Sequence, residues 1–185
     1  MARSTPDTAR GFSLLEVLIA LTLLVVAVGT LASLPVITTR ANAAARAATI
    51  ATLAAEEKME QLRALAWGFD ASGRPLSDTT TDLTVLPPAA GSGVGLTASP
   101  AGALMQNTPG YCDFLDAAGR WIAGAAAAPQ AVFVRRWSVD PLASNPANAL
   151  VLQVVVVRLH RGTGLLPPAT PEEARLATLK TRKAG

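Results

Sequence analysis

Gly11-Phe12-Ser13-Leu14-Leu15-Glu16-Val17-Leu18-Ile19-Ala20-Leu21 opens a run in which no charge follows Glu16 until Arg40. The 23 positions from Val17 to Thr39 are uncharged, and a helix needs roughly 18 or more such residues to span a bilayer. The stretch therefore predicts a single membrane helix, and no second run of that length predicts a polytopic protein. A carboxylate inside such a helix costs roughly 2.5–3.5 kcal/mol at mid-span and less near the interface, so Glu16 marks a function by default. Its chemistry asks for a cationic partner.

Working outward, residues Met1 to Gly11 are short and polar, with Arg3 and Arg10 ahead of the apolar run. Positive residues at that place keep this end in the cytoplasm. A secretory signal peptide would be cleaved after the apolar run, where Val28-Gly29-Thr30 or Ala32-Ser33 offer small residues. The run exceeds an ordinary signal core, however, and Glu16 lies inside it. Half of the chain is apolar and 16% is charged, against roughly a quarter charged in soluble domains, which excludes a purely soluble cytosolic protein. Cys112 is the only cysteine, so no disulfide forms within the chain. The net charge of +3 is spread along the chain, without the basic cluster and interleaved aromatics of a nucleic-acid face.

The string Gly11 to Leu21 resembles the type III signal of type IV prepilins and pseudopilins: a basic leader ending in Gly, then Phe, a small polar residue, two aliphatics and Glu. The resemblance implies that a prepilin peptidase cuts between Gly11 and Phe12 and N-methylates Phe12. It also implies that the helix is kept as an assembly element, and that the new amino group at Phe12 pairs with Glu16 of an adjacent subunit. Implied partners are the peptidase, other pilin or pseudopilin subunits, an inner-membrane assembly platform and membrane lipid. The implied location is the bacterial inner membrane with a periplasmic headpiece, then a pilus or pseudopilus.

The helical pattern runs from Phe12 to Trp67, 56 residues, about 84 Å at 1.5 Å per residue. Pro35 is expected to kink or unwind it near Leu31 to Leu34, as pilin helices commonly do. Ala55, Met59, Leu62, Leu65 and Ala66 form a stripe at helical spacing that predicts a packing face for a sheet. Glu56, Glu57, Glu60 and Arg63 fall elsewhere and read as a solvated face, without chemistry of their own. Residues 55 to 65 resemble minor pilins of the pilus-modification kind, or small type II secretion pseudopilins, more than major pilins.

Five segments follow: 1–11 as a cleaved leader, 12–39 as the transmembrane and assembly half of the helix, 40–67 as its amphipathic half, 68–130 as a variable Gly/Pro-rich region, and 131–185 as an antiparallel sheet. The fold class expected is α+β, a long N-terminal helix packed on that sheet. Asp70-Ala-Ser-Gly-Arg74 and Asp116-Ala-Ala-Gly-Arg120 read as related turns, the second inside a small hairpin. The low-complexity run Pro87 to Gly95 is expected to be mobile. Ala131 to Val139 and Ala149 to His160 read as paired strands. In the tail, Thr170-Pro-Glu-Glu173 matches a capping box and predicts a short helix, whereas Ala174 to Arg182 alternates as a strand does. The strand is the reading adopted.

No enzyme chemistry is expected. His160 stands alone, no ligand spacing suggests a metal, Asp78 and Asp82 miss the spacing of a calcium loop, and Gly91-Ser-Gly-Val-Gly95 lacks the rest of a phosphate loop. No cofactor is implied. The leading expectation is a structural minor pilin or pseudopilin of a type IV pilus, type II secretion or DNA-uptake machine. The alternative is a singly anchored periplasmic binding module that never enters a filament. Gly11 and Glu16 separate the two, because an anchor requires neither.

Overall fold

The computed structural model describes residues 11–124, 128–159 and 174–182, leaving aside the side chains of residues 30–34. The leader residues Met1 to Arg10, His160 and the capping-box residues Thr170 to Glu173 lie outside the described residues. The chain divides into two compact units, Met1–Ala43 and Ala44–Gly185. Helix α1, Leu14–Ala64, contributes to both.

In the first unit, Ser13 starts the helix. Its hydroxyl oxygen accepts the Leu15 N–H at 3.2 Å, and its carbonyl accepts the Glu16 and Val17 N–H groups at 3.0 and 3.2 Å. That is an N-cap, which satisfies donors the first turn leaves without an intrahelical partner. Helical backbone runs through Pro35, so the local unwinding expected there is not seen. The Thr38 and Thr39 hydroxyls donate to the Pro35 carbonyl at 3.0 and 2.7 Å. The helix continues despite the ladder bond a proline cannot make.

In the second unit, Ala47, Ala51, Ala54, Ala55, Lys58, Met59 and Leu62 are buried, the spacing of a single helix face. The expected stripe holds at Ala55, Met59 and Leu62. Ala66 is exposed because the helix ends at Ala64, short of the expected Trp67. Two interactions stop it. Trp67–Phe69 (β1) instead pairs antiparallel with Pro75–Ser77 (β2), and the Lys180 ammonium donates to the helix-end carbonyls of Leu62, Arg63 and Leu65. A cation there complements the negative end of the helix dipole.

The remaining strands are Cys112–Leu115 (β3), Trp121–Ile122 (β4), Phe133–Pro141 (β5), Ala149–Arg158 (β6) and Ala174–Thr181 (β7). They form one antiparallel sheet in the order β4-β3-β5-β6-β7. The architecture is α+β and pilin-like, a long N-terminal helix followed by an antiparallel sheet. The tail is a strand: β7 lies beside β6 with Ala149 opposite Thr181. The 112–122 hairpin is not separate from the C-terminal strands, because Cys112 to Leu115 pair with Phe133 to Arg136. Phe133, Trp137, Val139, Leu152, Val154 and Val156 share one core with Met59 and Leu62 of the helix. Alternate residues of the strands supply that face, as the two-residue period requires.

The turn after β1 and the turn after β3 have the same construction. Asp70 Oδ1 accepts the N–H groups of Ser72 and Arg74, both at 2.8 Å, and Asp116 Oδ1 accepts those of Ala118 and Arg120 at 2.8 and 2.9 Å. Gly73 and Gly119 take φ of 75° and 78°, where a side chain is disfavoured. The run Pro87 to Gly95, expected to be mobile, is folded back: Asp82 pairs with Ala89, and the Gly93 N–H donates to the Thr80 carbonyl at 2.6 Å. A Cβ on Gly93 would stand 2.1 Å from the Asp82 Cα, so this return of the chain requires glycine. Composition resembled a linker, but the loop's bonds reach residues distant in sequence. Trp121 Nε1 donates to the Thr84 carbonyl at 2.9 Å, and the Tyr111 hydroxyl to that of Thr97 at 3.0 Å.

Candidate functional site

The sequence-derived site residues Gly11, Phe12 and Glu16 stand together at the start of α1. Gly11 has open space where a Cβ would lie, and Phe12 is 82% exposed. Glu16 falls in the first helical turn, three residues after the Ser13 cap, where a carboxylate also complements the positive helix end. Beyond it the described apolar side chains, among them Leu18, Leu21, Val25 and Val28, are exposed on all sides of the helix. A helix apolar all round belongs in lipid or inside an assembly. Pro35 lies 19 residues beyond Glu16 on the same helix. Among the described residues no helix is long and apolar enough to cross a membrane; the uncharged run passes through residues 30–34, whose side chains are not among those described.

A second cluster, which sequence reasoning missed, joins helix, sheet and loop in the second unit. Arg135 on β5 grips the Asp113 carboxylate of β3 with two bonds, Nε to Oδ1 at 2.9 Å and Nη2 to Oδ2 at 2.8 Å. Its Nη1 donates to the Ala54 carbonyl at 2.8 Å and to Glu57 Oε2 at 3.0 Å. Lys58 Nζ lies 2.9 Å from Asp113 Oδ2, donates to the Leu83 carbonyl at 2.6 Å and sits 4.5 Å over the Trp137 ring. The Lys58, Asp113 and Arg135 side chains are 1 to 2% exposed. Burial pulls the Lys58 ammonium down to about 8, although Asp113 opposes the shift. Burial also works against the charge on Arg135, but its bonds and attraction to Asp113, helped by Glu57, outweigh that and raise its pKa.

The cluster was legible in principle. Lys58 occupies the apolar helix stripe, Asp113 alternates with Tyr111 and Leu115, and Arg135 alternates with Phe133 and Trp137. Charges at inward positions of periodic elements require partners, because isolated buried charge is expensive. Glu57 is corrected by the same geometry: it is half-exposed and paired with Arg135, not merely part of a solvated face. Glu56 is exposed. Leu62→Ala is therefore expected to cost about 2–5 kcal/mol, and Glu56→Ala less than about 0.5 kcal/mol. Thermal melts of the two variants check this, and equal melting temperatures would mean that the stripe does not pack as described.

Among the described residues, no three His, Cys, Asp or Glu side chains gather as metal ligands. The Asp78 and Asp82 carboxylates are occupied within their own loop, accepting from Thr80, Thr81 and Thr84. Cys112 is a half-buried free thiol, its pKa raised by burial and by Asp113.

The prokaryotic N-terminal methylation motif, as a family model, matches residues 7–32. The chain thus carries a type IV pilin leader, and the motif indicates a type IV pilin-like, prepilin-processed protein. No curated protein and no solved structure matches the chain.

Proposed function

We propose that the chain is a structural minor pilin or pseudopilin that assembles through its N-terminal helix into a filament or its initiating tip complex. What supports this most is the methylation motif falling on a Ser13-capped helix start with Glu16 in the first turn. Cleavage after Gly11 frees an amino group on Phe12. In a staggered bundle that cation meets the Glu16 carboxylate of a neighbour, and two charges costly in lipid neutralise each other. Residues 12–39 act first as membrane anchor and then as assembly core. Pro35, lacking an N–H, is the joint at which the helix bends as the subunit leaves the bilayer. Residues 68–130, of which 68–124 leave much of their surface exposed, provide the surface that distinguishes this subunit from others.

Intact-mass measurement on protein extracted from membranes tests the processing step. The expected species begins at N-methylated Phe12. A terminus at Met1, or one beyond Ala27, would overturn the assignment. A terminus at Met1 would instead support the singly anchored binding module, whose helix stays uncleaved.

A further inference from the structure

Strand β7 ends the sheet on the β6 side. The Arg182 N–H donates to the Asn148 carbonyl at 2.9 Å, one step beyond the Thr181–Ala149 pair, and this fixes the phase of the ladder. Antiparallel bonding alternates, so the backbone groups of Ala174, Leu176, Thr178 and Lys180 point to β6. Those of Arg175, Ala177, Leu179 and Thr181 point away from it. The same four residues are the exposed ones of the strand. Among the described residues no strand pairs with this outer side. The strand contains no proline and its register is unbroken by a bulge, so two common devices that close an edge are missing.

At the C-terminal end of β7 a hollow of about 580 Å³ opens between the strand, the helix end and the β1–β2 hairpin. Its apolar wall is Leu65, Trp67, Phe69 and Leu76, its charged lining is Arg63 and Lys180, and no carboxylate lines it. Leu76 and Leu179 are 51% and 61% exposed. Arg182 lies 3.7 Å over the Trp67 ring and donates to the carbonyls of Gly68 and Leu76. Lys180 is likewise bonded to neutral carbonyls, and burial together with the neighbouring Arg63 lowers its pKa. Arg63 is paired with Glu60 at 2.8 Å, so the positive charge beside this apolar surface and the row of outward backbone donors and acceptors is that of Lys180 and Arg182.

We propose that the outer edge of β7 and this hollow dock an extended segment of another protein, one that carries carboxylates around an apolar side chain. The segment adds as a further strand: backbone bonds supply affinity, the hollow accepts the apolar side chain, and the carboxylates meet the cations. A second copy of this chain is the poorer occupant, because its β7 bears Arg175 and Lys180 and no acid, and like charges facing across strands are unfavourable.

The test uses the full chain in detergent micelles, labelled for amide NMR. It is titrated with a peptide of β7's length that alternates Glu with Val and Leu, and with the same peptide carrying Lys for Glu. The acidic peptide is expected to shift the amides of Arg175, Ala177, Leu179 and Thr181 and to slow their hydrogen exchange, with the Lys peptide about tenfold weaker or worse. Ala177→Pro removes an outward N–H without touching the β6 ladder and is expected to abolish binding. Leu179→Glu, at an exposed position, keeps the fold intact and weakens the acidic peptide through repulsion. Equal binding of the two peptides, indifference to both variants, or self-association through β7 without peptide binding would each overturn the proposal.

Discussion

Asp113→Ala is expected to cost about 3–5 kcal/mol, the range for breaking a buried ion pair, and so a large part of the roughly 5–15 kcal/mol that holds a domain folded. The reason is charge balance. Asp113 is the buried anion between two buried cations, 2.9 Å from Lys58 and 2.8 Å from Arg135, and Glu57, with its side chain 43% exposed, reaches Arg135 alone. Removing Lys58 has the opposite character, because the bidentate Arg135–Asp113 pair stays neutral. Lys58→Met gives up the bonds to the Leu83 carbonyl and to Asp113, about 1–3 kcal/mol, and regains the desolvation of an ammonium. Its net effect is expected to be about 1 kcal/mol or less. Denaturant titrations of both variants make the comparison, and equal losses would contradict this ledger of charges.

The same lysine sets a pH dependence. Its pKa is 10.5 in the ordinary case and about 8 in the fold. Between those values the unfolded chain binds a proton that the folded chain does not, so raising the pH favours the folded state over that window. The wild type is therefore expected to gain stability relative to Lys58→Met as pH rises from about 8 toward 10. A wild type that loses ground to the variant over this window would mean that Lys58 is not held as described. The difference between the two proteins is the informative quantity, because Tyr111, whose pKa is raised by burial and by Asp140, acts in the opposite sense in both.

Glu16→Ala is expected to leave processing and membrane insertion intact while removing the subunit from filaments. Gly11 and Phe12, the proposed cleavage site, are untouched, and the span becomes more apolar and easier to retain in lipid. What is lost is the carboxylate proposed to receive a neighbour's amino terminus. Glu16→Gln, which keeps the shape without the charge, is expected to behave alike. Immunoblots of sheared filaments beside membranes read the outcome, and equal incorporation of wild type and variants would remove Glu16 from the assembly mechanism.

Features that depend on neighbours along the chain were determined by sequence alone: the uncharged run after Glu16, the paired Asp70 and Asp116 turns, and the alternation that makes Ala174 to Thr181 a strand. Each is a local matter of propensity, capping or periodicity. Tertiary structure decided what depends on residues far apart in the chain. Trp67 leaves the helix because Pro75 to Ser77 offers it a strand partner and because Lys180, more than a hundred residues on, takes the helix-end carbonyls. The Gly-rich run near Gly93 is ordered by contact with Asp82, although its composition is that of a linker. Lys58, Asp113 and Arg135 stand at inward positions of three elements far apart in the sequence, which does not say that they meet. They become one buried cluster only when the sheet register brings Asp113 opposite Arg135 and the helix lays Lys58 over Trp137, for an ion can leave water only where its counterion is already in place.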